Sequence, residues 1–391
     1  MRVLVLSFYY EPDLSAGSFR NTALVKEIAA QLGGNGQVDV ITTLPNRYHT
    51  FSTKAPVHEA EGNIRVWRIS LPAHKSGMAD QSRAFASYAK AVWQRARGQK
   101  YDVVYASSSR LMSAALGAVI ARRMGALLYL DMRDIFTDSL GDMVAKSPLR
   151  LTLPVFRLIE RFSVRQADRV NLVSPGFLDH YRAIDPKQSF RFFTNGIDDE
   201  FIGHDLSNHA TKNGPKEILY AGNIGGCQGL QHIIPQAAKL LGRDWRFRIV
   251  GDGGMRSTLV RMLEGLDNVI LESPVRRSEL LERYRSADVL FLHLNDSPAY
   301  RKVLPSKLFE YAATGKPILA GVAGQAAEFL RDNVENAAVF APCDKDELVK
   351  ALDRLRLENI PRTAFVERYR RTNITEQMAE DILALGRDGR R

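Results

Sequence analysis

The sequence predicts an α/β protein of two doubly wound parallel-sheet domains facing a cleft, and three observations carry that prediction. At 391 residues the chain is longer than one hydrophobic core spans, so it divides into domains. Short apolar runs alternate with helical periodicity in two successive sets, and steady strand–helix alternation means parallel strands covered by helices on both faces. Between the sets lies the turn-rich stretch Phe193-Thr194-Asn195-Gly196-Ile197-Asp198, followed by a polar segment over 203–214, which reads as a linker near Asn195.

Residues 3–8 form an apolar run of the kind found in strands buried on both faces. A loop over 9–17 leads into a helix where Leu24, Ile28 and Leu32 recur every four residues, with Ser18 as its expected N-cap and Gly33-Gly34 as its stop. Further strands are expected at 38–42, 64–69, 103–106, 126–130 and 169–173, with helices between most of them. The alternation restarts at 218–221 and runs through 247–250, 269–271, 289–292 and 318–320. In open α/β sheets ligands sit at the carboxyl ends of the strands, so both domains are expected to present loops to the cleft.

Apolar content of 45% with 25% charged residues is ordinary for a globular chain and excludes disorder. No apolar run approaches the roughly 20 residues of a membrane span, and the N-terminus passes directly into polar residues, so neither a span nor a secretory signal is expected. Cys227 and Cys343 lack the spacing of a disulfide framework or zinc site, which fits a reducing compartment. The net charge of +10 points to nucleic acid, anionic lipid or phosphate-bearing substrates. Nucleic acid ranks last, because no basic run is interleaved with aromatics.

The strongest local signal is Leu304-Pro305-Ser306-Lys307-Leu308-Phe309-Glu310-Tyr311, closed by Gly315-Lys316-Pro317. Pro305 and Ser306 open a helix whose first turn carries Lys307, and amide groups, dipole and ammonium together suit a diphosphate. Glu310, one turn on, faces the same side and suits sugar hydroxyls. A surface helix with solvated Lys and Glu stands equally open from these residues alone. Two glycine clusters, Gly222-Asn223-Ile224-Gly225-Gly226 and Gly251-Asp252-Gly253-Gly254, follow expected strands, where backbone can approach phosphate closely. The second fails the dinucleotide pattern, since its sixth position is Arg256. Leu130-Asp131-Met132-Arg133-Asp134 ends a strand of the first set, so Asp131 or Asp134 is a candidate proton acceptor, with a structural Asp–Arg cluster as the alternative. Gly17 and Ser18 open a helix of that domain, again favouring an anion.

Taken together, Tyr9-Tyr10-Glu11-Pro12 with Gly17, Thr194-Asn195-Gly196-Ile197-Asp198, Tyr220-Ala221-Gly222-Asn223, Val250-Gly251-Asp252-Gly253 and Pro305-Ser306-Lys307-Leu308-Phe309-Glu310-Tyr311-Ala312 resemble the retaining glycosyltransferases of family 4. The resemblance covers nearly the whole chain, and its nearest branch is the WbuB-like aminosugar transferases of O-antigen and capsule assembly. It implies the GT-B fold, with two Rossmann-like domains: an acceptor-side domain over 1–198 and a nucleotide-sugar-binding domain over 199–371, a final helix over 372–391 packing back on the first. It implies transfer from a UDP-sugar, most expectedly N-acetylated, to a lipid-linked (polyprenyl-diphosphate) or saccharide acceptor, in the cytoplasm on the inner face of a bacterial membrane. The expected donor-binding residues are Gly17, Ser18, Asn195, Gly222, Asn223, Gly251, Asp252, Arg301, Lys302, Ser306, Lys307, Leu308 and Glu310. Lys307, Glu310 and one of Asp131 and Asp134 are expected in catalysis, with no metal or other cofactor required.

The chain departs from the family pattern. Lys302 stands where the first of two glutamates is usual, and Asn223 and Gln228 where Arg and Lys are usual, so the donor phosphates are expected to rely on Lys307, helped by Arg301 and Lys302. Asp131 or Asp134 occupies the place of a strand-end histidine. Two basic, apolar segments, 146–165 and 83–100, are candidates for contact with an anionic membrane surface, against the plainer reading of helices packed on the sheet. A UDP-sugar 2-epimerase and a non-catalytic nucleotide-sugar-binding subunit are the rival readings.

Overall fold

The computed structural model describes the chain apart from residues 14, 46–54, 73–77, 109, 145–146, 205, 207–213 and 390–391, and the side chains of 78, 79, 142 and 143. Lys146 and most of the expected linker over 203–214 therefore lie outside the described residues. The chain forms two compact units, Met1–Thr194 with Arg371–Arg391, and Asn195–Arg370. The sequence reading drew the first boundary after residue 198; the structure draws it at Thr194.

The first unit holds an eight-stranded sheet. Its strands are β1 (Arg2–Leu6), β2 (Gln37–Thr43), β3 (His58–Glu61), β4 (Ile64–Ile69), β5 (Val103–Ser108), β6 (Leu127–Met132), β7 (Arg169–Leu172) and β8 (Phe190–Arg191). They lie in the order β3-β4-β2-β1-β5-β6-β7-β8, parallel except for the β3–β4 pair. Val3 of β1 pairs with Val38 on one side and Val103 on the other, which is why this strand is apolar and buried on both faces. Sequence periodicity missed β3, whose His-Glu-Ala-Glu run lacks an apolar face because it is an exposed edge, and the two-residue β8.

The helix Ala16–Leu32 is capped by Ser15, whose side chain accepts from the Ser18 amide at 3.1 Å, and not by Ser18, which lies inside it. It packs against the last helix, Arg371–Asp388, with Leu24, Ile28, Met378, Ile382 and Leu383 entering one core with Val3, Val38 and Val103. Gly386 permits that approach, since a Cβ there would stand 2.8 Å from a Val103 methyl.

The second unit holds a six-stranded sheet: β9 (Lys216–Ala221), β10 (Trp245–Val250), β11 (Val269–Glu272), β12 (Val289–His293), β13 (Ile318–Gly321) and β14 (Ala337–Phe340). The order is β11-β10-β9-β12-β13-β14, parallel throughout. Ile218, Tyr220, Val289 and Phe291 fill the core on one face, and Leu219, Ala221, Leu290 and Leu292 the core on the other. The edge strand β14 escaped the sequence reading because Ala337-Ala338 carries little apolar signal. Strand order reverses between β1 and β5 and between β9 and β12, and ligand sites of doubly wound sheets lie at the carboxyl ends beside such reversals.

Candidate active site

In the second unit, β9 and β10 run out into the two glycine clusters, and backbone pairs stitch these together. The Gly222 amide donates to Val250 O at 2.9 Å, Ile224 to Asp252 O at 2.8 Å and Met255 to Ile224 O at 2.9 Å. A Cβ on Gly251 would land on the Gly222 carbonyl, and one on Gly253 would sit 2.5 Å from Ile224 O. These glycines thus let one loop lie on the other. Asn223 is held inside the pair, its Nδ2 donating to Gln228 Oε1 at 3.0 Å and its carbonyl accepting from the Tyr220 hydroxyl at 2.6 Å. Asp252 caps the Gly253 amide at 2.8 Å.

The helix Ser306–Ala313 starts at Pro305, and its buried Tyr311 ties it to the same loops. That hydroxyl accepts from the Ala221 amide at 3.0 Å, one residue before Gly222. Ser306 thus opens a helix fixed beside the glycine clusters. Lys307 donates to Glu310 Oε1 at 2.8 Å and to the Tyr284 hydroxyl at 3.3 Å, and Tyr284 in turn donates to the same Glu310 oxygen. Both charged side chains are part-exposed, 28% and 17%, so the pair remains open to a ligand. Leu308 corrects the sequence reading: its side chain is fully buried in the core and its amide already donates to Pro305 O at 3.1 Å, which leaves it nothing to offer a donor. Arg301 and Lys302 lie in the short turn Tyr300–Lys302, where Arg301 is exposed and pairs with Asp296 at 3.2 Å. Asn195 is buried, and its Oδ1 has no hydrogen-bond partner among the described residues.

His293, which the sequence reading passed over, ends β12 as a buried staple between loops. Its Nδ1 lies 2.6 Å from Gln228 O, so it donates there, and its Nε2 accepts the Cys343 amide at 3.0 Å. Burial pushes its pKa down to about 4, so the imidazole stays neutral and joins the first glycine loop to the segment after β14.

In the first unit the two candidate carboxylates differ sharply. Asp131 is fully buried and accepts from Arg20 at 3.0 Å through both oxygens, from Tyr105 at 2.9 Å and from Asn171 at 2.7 Å. Burial alone would raise its pKa, but the Arg20 charge prevails and holds it below the usual carboxylate range. Its acceptor capacity is spent, which corrects the expectation that it takes a proton from substrate. Arg20 also donates to the carbonyls of Phe193 at 2.8 Å and Thr194 at 2.7 Å, so the cluster anchors the last residues of this unit.

Asp134 is half-buried, and its Oδ1 has no partner among the described residues. Burial pushes its pKa up to about 7, opposed by Arg133 and assisted by the Glu160 carboxylate. Arg133, which the sequence reading left without a role, has an Nη1 with no partner among the described residues. That nitrogen stands 3.0 Å from where a Gly17 Cβ would be. Gly17 is therefore the gap that admits a guanidinium to the first turn of the helix Ala16–Leu32. Ser18 is buried there, its hydroxyl without a partner among the described residues.

The structure thus ties the loops of Gly222, Asn223, Gly251 and Asp252, through Tyr311, to the helix that starts at Ser306 and carries Lys307 and Glu310, and in the first unit it sets Arg133 against Gly17. Of the two segments with basic and apolar character, the helix Met78–Ala96 packs inward, burying Tyr88, whose hydroxyl donates to Ile41 O at 2.7 Å.

The chain matches two family models: "Glycosyl transferase 4-like domain" over residues 22–196 and "Glycosyl transferases group 1" over residues 204–372. It is 27% identical over 385 residues, 90% of each chain, to WcaI of Escherichia coli K12, assigned as a colanic acid biosynthesis glycosyl transferase. It is 26% identical over 347 residues, 81% of this chain and 76% of the relative, to D-inositol 3-phosphate glycosyltransferase of Nocardiopsis dassonvillei. Among solved structures it is similar to Anabaena HepE in complex with UDP-glucose, with a TM-score of 0.68 at 17% identity over 98% of this chain and 100% of that one. Trehalose-6-phosphate synthase OtsA gives a TM-score of 0.71 at 13% identity over 98% and 99%. With two parallel-sheet units and two family models that between them run from residue 22 to residue 372, this chain belongs to the family 4 glycosyltransferases of the GT-B fold.

Proposed function

We propose that this glycosyltransferase moves a sugar, most simply an N-acetylated one, from a UDP-sugar to a lipid-linked or saccharide acceptor, with retention, in bacterial surface polysaccharide synthesis on the inner face of the membrane. The observation that carries the reading is the helix Ser306–Ala313, which offers first-turn amides, Lys307 and Glu310 beside the ends of β9 and β10. WcaI's assigned role in colanic acid biosynthesis and the UDP-glucose held by HepE support it.

The Lys307 ammonium and the helix start neutralise charge on the departing diphosphate, the electrostatic contribution that is often largest in such reactions. As phosphate draws Lys307 away, Glu310 keeps its Tyr284 partner and accepts hydrogen bonds from the donor's ribose hydroxyls. Asp134, whose Oδ1 has no partner among the described residues and whose pKa burial pushes up to about 7, takes the proton of the acceptor hydroxyl; Gly17 with Arg133 forms a second anion-holding helix start. Arg301, Lys302 and Asn195 are assigned to the donor less directly.

The test is thermal-shift titration with UDP, GDP and their sugars, followed by transfer to a polyprenyl-diphosphate acceptor. UDP-sugars should stabilise the protein, and Lys307→Ala should lower turnover at least about tenfold, some 1.4 kcal/mol of barrier. Stabilisation by GDP-sugars alone, or a smaller loss in the variant, would overturn the donor assignment.

A further inference from the structure

We propose that the turn Pro148–Thr152 and the helix Leu153–Gln166 form the surface by which this enzyme rests on an anionic lipid bilayer. The proposal deepens the reading of a lipid-linked acceptor by assigning the membrane contact to particular side chains.

A helix packed on a sheet ordinarily buries its apolar stripe and solvates the opposite one. This helix buries Glu160, Ser163 and Val164 against the unit and turns apolar side chains to the outside. Leu151 is 79% exposed, Leu158 67%, Val155 57% and Leu149 43%. Val155 and Leu158, three positions apart, share a face, and Leu151 continues it one turn earlier. The presenting turn is well defined, because the Ser147 hydroxyl accepts from the Leu149 amide and Pro148 begins the turn.

Beside this stripe runs a cationic one. Arg157, Arg161 and Arg165 recur every four residues and are exposed, with exposed Arg150 in the preceding turn. The only acid between Ser147 and Gln166 is Glu160. It is buried and engaged by Thr137 at 2.8 Å and His180 at 3.0 Å, so this segment offers the arginines no exposed counter-charge. Outward leucine and valine flanked by arginines that form no ion pair among the described residues is the composition of a helix lying in the plane of a membrane, its apolar face in the acyl boundary and its guanidinium groups among anionic headgroups. Arginine stems lie along the apolar surface while the charge reaches water or phosphate.

Flotation of the full chain with phosphatidylcholine vesicles, with and without phosphatidylglycerol, tests the assignment. Wild type should float with the anionic vesicles and far less with the neutral ones. Leu151→Ser/Leu158→Ser and Arg157→Gln/Arg161→Gln should each weaken that binding about tenfold or more. The altered side chains are exposed, so melting temperature and UDP affinity should hold. Failure of wild type to bind anionic vesicles, equal binding to neutral ones, undiminished binding by both double variants, or self-association through this face without vesicle binding would each overturn the proposal. Loss of UDP binding by wild type with flotation intact would sink only the donor reading.

Discussion

Asp131 and Asp134 end the same strand segment in opposite electrostatic conditions. Asp131 is saturated by Arg20, Tyr105 and Asn171, whereas Asp134 is pushed up to about 7. Its folded pKa lies above the unfolded value, so the stability it contributes is complete at acid pH and is lost as pH rises through about 7. The carboxylate form that the proposed proton acceptance requires appears over the same window. Asp134→Asn should therefore lower turnover by about 10²- to 10⁴-fold while raising the melting temperature at pH above that pKa, and the wild-type rate should fall about tenfold per pH unit below it. An unchanged rate would remove Asp134 from the mechanism. His293 has the reverse sign. Burial pushes its pKa from the ordinary 6.5 down to about 4, so the unfolded chain takes up a proton that the folded one refuses, and stability declines as pH falls through that interval. His293→Gln should flatten that part of the stability profile in denaturant titrations.

At the scale of elements, the two glycine loops act as one piece. Gly251→Ala would drive a methyl into the Gly222 carbonyl and should destabilise the chain by about 3 kcal/mol, with loss of UDP affinity; chemical denaturation and calorimetric titration measure the two. Sequence spacing revealed both clusters, but not that their glycines serve each other's backbone. The strands of the apolar runs were legible because alternation and burial leave a period in the sequence. The polar edge β3 and the small-residue edge β14 leave none. The N-cap was misplaced because Ser15 and Ser18 are chemically equal candidates, and only the 3.1 Å bond from the Ser18 amide to Ser15 chooses between them.

At the scale of the molecule, the last helix, Arg371–Asp388, belongs to the first unit, where Met378, Ile382 and Leu383 complete the core around Leu24 and Ile28. Truncation after Arg370 removes at least about 5 kcal/mol of apolar burial, as much as the net stability of many domains. The truncated chain should lose the cooperative melting of the first unit by circular dichroism, and an unchanged transition would show the helix to be dispensable. The sequence alone determined the α/β class, the doubly wound sheets and the residues that open helix Ser306–Ala313, because periodicity and helix-start chemistry are local properties. It also marked the Asp131–Asp134 segment as charged. Which of those carboxylates is saturated, that Arg133 fills the gap at Gly17, that Lys307 and Glu310 share Tyr284, and which face of the helix Leu153–Gln166 turns outward were decided by tertiary structure. Each depends on partners distant in the chain or on which side of a helix is packed, and local spacing carries no record of either.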